Sequence, residues 1–160
     1  MATTGQGERL IADLAATAAL AECLAAELRA GDVVGLAGPL GAGKSTFARF
    51  LLRALGIRDE VPSPTFNLVL TYALPDGELW HFDLFRLRAP EEALELGIED
   101  AFTQAICLVE WPERLGPLLP EQHLILHLEP LDGDDERRRL RWRGAGARGL
   151  ELAATLEAAP

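Results

Sequence analysis

Five uninterrupted small or apolar residues, Val33-Val34-Gly35-Leu36-Ala37, run directly into Gly38-Pro39-Leu40-Gly41-Ala42-Gly43-Lys44-Ser45-Thr46. A short continuous apolar run of this kind reads as a strand buried on both faces, the habit of a central parallel strand. From Lys44 to Leu55 the pattern turns helical, and Gly56 closes it. Strand, glycine-rich turn and helix in immediate succession confine the chain to an α/β architecture, because parallel strands need crossover connections. The turn also fits G-x-x-x-x-G-K-[ST], in which successive backbone N–H groups converge on a phosphate at a helix N-terminus.

Lys44 is the only lysine; the other fourteen of the 15 Lys and Arg residues are arginines. A compact ammonium on a thin stem can lie along such a loop and reach outer phosphates, where a planar guanidinium fork would not fit. Gly38, Gly41, Ala42, Gly43, Lys44, Ser45 and Thr46 therefore form the expected nucleotide cradle. Ser45 offers its hydroxyl to Mg²⁺, and Thr46 faces the α-phosphate. Bare glycine turns are common in loops without ligands; the full motif directly after a strand is far rarer by chance.

Mg²⁺ also needs an acid at the end of a neighbouring strand, facing the crevice where α/β sheets bind ligands. Two residues qualify: Asp83, ending Trp80-His81-Phe82-Asp83, and Glu110, ending Ile106-Cys107-Leu108-Val109-Glu110. Either could serve the metal or the attacking water, and the sequence does not divide the roles. Thr65, directly after the two prolines of Val61-Pro62-Ser63-Pro64-Thr65, suits a switch hydroxyl on a loop closing over the γ-phosphate, against the blander reading of a turn residue. Trp111 reads as core, as a cap over the nucleotide or as a partner contact. His81 reads as a structural strand residue rather than a base. His123 and His127 share a strand face without a third ligand.

Elsewhere the periodicity predicts a loose tail over 1–8, a helix from Leu10 to Leu28, and strands over Phe66–Ala73 and Glu78–Phe85. It predicts one helix from Pro90 to about Gln104, a strand over Ala105–Val109, a hairpin of His123–Glu129 with Arg137–Arg143, and a closing helix over Gly149–Glu157. The whole chain, 1–160, is read as one domain with a central mixed sheet flanked by helices and a C-terminal β-hairpin. A net charge of −10 argues against direct, broad attraction to nucleic acid. Arg137, Arg138, Arg139, Arg141 and Arg143 are the one basic cluster and read as an exposed strand face. Cys107 reads as a small core residue; no run is long enough to span a bilayer, and a cytoplasmic protein with reduced thiols is expected.

Five blocks together resemble the TsaE family: residues 38–46, Ser63-Pro64-Thr65-Phe66, His81-Phe82-Asp83-Leu84-Phe85-Arg86, Glu95-Leu96-Gly97-Ile98 and Leu108-Val109-Glu110-Trp111-Pro112, in that family's order and spacing. The resemblance implies a P-loop ATPase using ATP and Mg²⁺, weak alone, required for threonylcarbamoyladenosine modification at position 37 of tRNA. It implies docking on the TsaB–TsaD threonylcarbamoyl-transferase complex, with tRNA met only through that complex. By the same resemblance Lys44 and Ser45 match the phosphate and Mg²⁺ positions, and Thr65 the switch threonine. Asp83 matches a catalytic or Mg-linked aspartate, Glu110 a metal-linked glutamate, and Trp111 a retained tryptophan. Phe85 stands where the family often has Tyr, and Asp13 and Thr17 fall roughly where adenine would be met. A small-molecule P-loop kinase is the alternative; it would need a substrate pocket and an arginine-bearing lid. A GTPase needs Asn-Lys-x-Asp, which a chain with one lysine cannot supply.

Overall fold

A computed structural model describes residues 5–58, 68–131, 133 and 136–160. The architecture is the expected α/β one. Seven strands form one mixed sheet in the order β1-β7-β6-β2-β5-β4-β3. They are β1 (Gln6–Ile11), β2 (Val33–Ala37), β3 (Val69–Leu74), β4 (Gly77–Asp83), β5 (Ile106–Glu110), β6 (His123–Pro130) and β7 (Arg138–Ala145). Strands β6, β2, β5 and β4 run parallel at the centre, while β1, β7 and β3 add antiparallel edges.

Every residue of β2 and β5 is buried, which explains why both read as unbroken runs rather than alternations. The two sheet faces bury different helices. Helices α1 (Leu14–Glu27), α2 (Lys44–Ala54) and α4 (Gly146–Ala158) cover one face, packing Leu24, Leu51 and Leu156 onto Leu36, Leu108 and Leu126. Helix α3 (Ile98–Gln104) and two 3-10 segments, Pro90–Leu96 and Pro112–Leu118, cover the other through Ala93, Ile98 and Leu115. Cys107 lies in that second core, and burial pushes its thiol up to about 12.

Three expectations need correction. Residues 6–8 are not a loose tail, and the first helix does not begin at Leu10: Gln6–Ile11 is an edge strand on β7, with Gly7 opposite Trp142. Helix α1 starts only after Asp13, whose carboxylate accepts the Ala16 N–H at 2.8 Å. The single helix expected from Pro90 to Gln104 is two pieces, because Gly97 adopts φ 78 and ends the first segment before α3 begins.

A buried ion-pair network ties the far end of the sheet together. Arg148 of α4 grips Asp32, which is 3% exposed, through Nε to Oδ1 and Nη2 to Oδ2, both 2.8 Å. Asp32 in turn accepts the Arg29 N–H at 2.8 Å, holding the turn between α1 and β2.

Candidate functional site

The carboxyl ends of β2, β4 and β5 converge on one cleft of about 400 Å³, floored by residues 40–46 and walled by Asp83, Glu110, Trp111 and Arg138. The loop leaves β2 at Gly38, whose φ of 133 suits glycine, and whose absent Cβ would overlap the Leu128 carbonyl oxygen of β6. It ends at Gly43, and Lys44 is the first residue of α2, so the free amides of that helix open into the cleft.

Lys44 is buried, 5% exposed. Its Nζ donates to the Gly38 carbonyl and, at 3.1 Å, to the Pro39 carbonyl, and lies 3.8 Å from the centre of the Trp111 ring. Burial pulls its pKa down, while the facing charges of Glu110, Glu113 and Asp83 pull it back up.

The two acids face that ammonium from neighbouring strands. Asp83 and Glu110 are register partners across β4 and β5. Side chains alternate along a strand, so Asp83 and Glu110 share a face with Leu79 and Leu108, the face covered by α2. Their surroundings differ. Glu110 is 2% exposed; its Oε1 accepts from the Ser45 hydroxyl at 3.4 Å, and its Oε2 lies 2.7 Å from His81 Nε2. Asp83 is half-buried and accepts the Phe85 N–H at 3.1 Å, turning the chain out of β4. Desolvation raises the Asp83 pKa and Glu110 adds to the rise; the Phe85 amide, His81 and Lys44 oppose it.

Ser45 Oγ and the two carboxylates make an all-oxygen donor set suited to a hard cation such as Mg²⁺. Among the described residues no three His, Cys, Asp or Glu side chains gather into a metal cage.

Trp111 touches two parts of the structure. It packs on the second core and also lines the cleft. Its backbone is left-handed, φ 62 and ψ 52, a strained setting for a bulky residue, and its indole lies over Lys44. Phe85 braces the ring with centroids 4.9 Å apart.

Thr65 lies outside the described residues. Asp13 caps α1, and Thr17 is buried with its hydroxyl on the Asp13 carbonyl at 3.3 Å, so both have structural partners. His123 Nδ1 sits 2.7 Å from the Pro120 carbonyl.

Arg138 is the residue the sequence reading missed. Arg139 and Arg141 do lie along the open face, beside Glu129 and Glu8. Arg138 instead donates its Nε to the Ala42 carbonyl at 2.8 Å and lines the cleft. Strand alternation was the available signal: Arg138 shares parity with Leu140 and Trp142, which are buried under the helices.

Fold and site together define a single-domain α/β protein with a glycine-loop cradle at the carboxyl edge of its parallel strands and two acids across from it. The family model described as "Threonylcarbamoyl adenosine biosynthesis protein TsaE" matches residues 11–140. The chain belongs to the TsaE family. It is 42% identical over 125 residues to the tRNA threonylcarbamoyladenosine biosynthesis protein TsaE of Rickettsia felis, covering 78% of this chain and 71% of that one. The Bacillus subtilis protein of the same description is 39% identical over 122 residues, covering 76% and 75%. The crystal structure of Bacillus subtilis YdiB superposes with a TM-score of 0.79 at 31% identity, covering 95% of this chain and 94% of that one. No helix among the described residues is long and apolar enough to cross a membrane.

Proposed function

We propose that this chain is the ATP-binding, Mg²⁺-dependent ATPase of tRNA threonylcarbamoyladenosine biosynthesis, working on a TsaB–TsaD threonylcarbamoyl-transferase complex. One observation carries the reading: Lys44, Ser45, Asp83 and Glu110, from a helix N-terminus and two adjacent strand ends, line one cleft with the glycine loop.

The loop amides and the Lys44 ammonium bind the triphosphate tail, Lys44 reaching the outer phosphates. Ser45 and Glu110 hold Mg²⁺, which when bound neutralises charge developing on the phosphate oxygens. Asp83, less buried and with its pKa raised, faces the same space and orients the attacking water. Trp111 keeps the ammonium desolvated and aligned. Thr65 completes the γ-phosphate contacts from its loop.

A nucleotide can bias partner binding only through contacts made in one state, and the γ-phosphate supplies them. A net charge of −10 suits a protein that meets a protein partner and reaches tRNA through it. The test is co-purification with TsaB–TsaD in the presence of ATP, ADP or no nucleotide, alongside phosphate release. An ATP-dependent complex with stimulated hydrolysis is expected. ATP-independent behaviour together with phosphoryl transfer to a small molecule would establish the kinase alternative instead.

A further inference from the structure

His81 is a buried polar group of the site with no assigned task. It stands two residues before Asp83 on the same face of β4. The register pairs His81 with Leu108 and Asp83 with Glu110, so His81 sits diagonally beneath Glu110, one step deeper under α2. Its neighbours on that face show what the location favours: Leu79 and Leu108 are each 0% exposed. An apolar side chain would satisfy that core. An imidazole is a burden there, and more so because its Nδ1 has no hydrogen-bond partner among the described residues.

The other ring nitrogen explains the choice. Nε2 lies 2.7 Å from Glu110 Oε2, with both side chains 3% exposed. A carboxylate only accepts, so the hydrogen between them belongs to Nε2. Oε1 of the same carboxylate is the atom turned to the Ser45 hydroxyl. Glutamate has three side-chain torsions, and a buried carboxylate with one unpaired oxygen would turn to find a donor. The Nε2–H removes that freedom.

We propose that His81 is a positioning residue that clamps Oε2 of Glu110 so that Oε1 stays presented beside Ser45 to a divalent cation. The inference rests on the metal-linked reading of Glu110. Residues hydrogen-bonded to a metal-holding carboxylate typically matter ~10–100-fold for metal affinity.

The experiment compares His81→Leu and His81→Gln in the full chain, with ATP titrated calorimetrically in excess Mg²⁺ and in EDTA, and thermal unfolding run in parallel. Leucine fills the volume without a donor; the glutamine amide reaches the Nε2 position and donates. The leucine variant should lose ~10–100-fold of the Mg²⁺-dependent part of ATP affinity. Its EDTA affinity should stay at the parent value, and glutamine should restore most of the loss. Should the leucine variant not fold, His81→Asn, which stays polar but falls short of Oε2, reads the same quantity. Leucine or asparagine variants with full Mg²⁺ enhancement would overturn the proposal and leave His81 as core filling. Glu110→Gln is the separate control. If it too leaves the Mg²⁺ enhancement intact, the metal-linked reading of Glu110 fails first. If it abolishes the enhancement while His81→Leu does not, only the positioning role falls.

Discussion

Replacing Lys44 by methionine separates the charge from the stem that carries it. The methionine keeps an unbranched apolar chain against the Trp111 ring, and a thioether is at home there. What disappears is the ammonium and its bonds to Gly38 and Pro39. For the fold the effects oppose each other. Two carbonyls lose a donor: that of exposed Pro39 turns to water and that of buried Gly38 does not, while the burial that lowers the Lys44 pKa is relieved. The stability change should be within about 1 kcal/mol, a shift of roughly 2–4 °C in melting temperature for a chain of this size. For the ligand nothing offsets the loss. A charge-assisted bond contributes about 1.5–3 kcal/mol, and with two of its three N–H donors on Gly38 and Pro39 the ammonium has one for the outer phosphates, giving a deficit of about 1.5–3 kcal/mol. That corresponds to an ATP affinity lower by on the order of 10 to 10². Calorimetric titration with Mg²⁺ and ATP, run beside thermal unfolding, measures both. A methionine variant that melts with the parent and binds ATP within about threefold of it would refute the phosphate-contact reasoning.

Arg138→Ala should weaken nucleotide binding by about tenfold or more through loss of its charged bond to the Ala42 carbonyl, with only a small change in melting temperature; parent-like affinity would return Arg138 to the exposed ladder. Asp83→Asn should stabilise the nucleotide-free protein near neutrality. A carboxyl whose pKa is raised on folding holds a proton that the unfolded chain has released, so parent stability falls as pH rises through the carboxylate range. Urea unfolding against pH should show the two proteins converging in acid and parting above it. Arg148→Met should cost about 3–5 kcal/mol by stranding buried Asp32, while the folded fraction binds ATP normally; an unchanged urea midpoint would show that the network is dispensable.

The glycine loop, Lys44, Ser45 and the acids ending β4 and β5 were legible because each obeys a local rule. An apolar run makes a buried strand, glycine makes the turn, and the next polar residue stands at the carboxyl edge where the sheet opens. Helix α2 and β2 follow from the same run. The break at Gly97 was a local signal too, outweighed in the reading by the proline and acids at 90–92 that start the segment.

Other features had no local signature. Strand β1 is short and weakly patterned; Gln6–Ile11 is extended because β7 offers an unpaired edge and because Gly7 leaves room for the Trp142 indole. Arg138 is hidden in a run of similar arginines, and only the parity of β7 sends it to the loop while Arg139 and Arg141 face outward.

From residue order alone came the strand–loop–helix cradle and the types of side chain available to it, because backbone preference and hydrophobic period act over a few neighbours. The difference in surroundings between the two acids came from tertiary structure. Glu110 is the one sealed under α2, against Ser45 and His81, whereas Asp83 caps its own turn at the mouth. Burial and hydrogen-bond partners belong to surfaces assembled from residues far apart in the chain, 65 positions for Ser45 and Glu110 and 96 for Arg138 and Ala42, and no short window contains them.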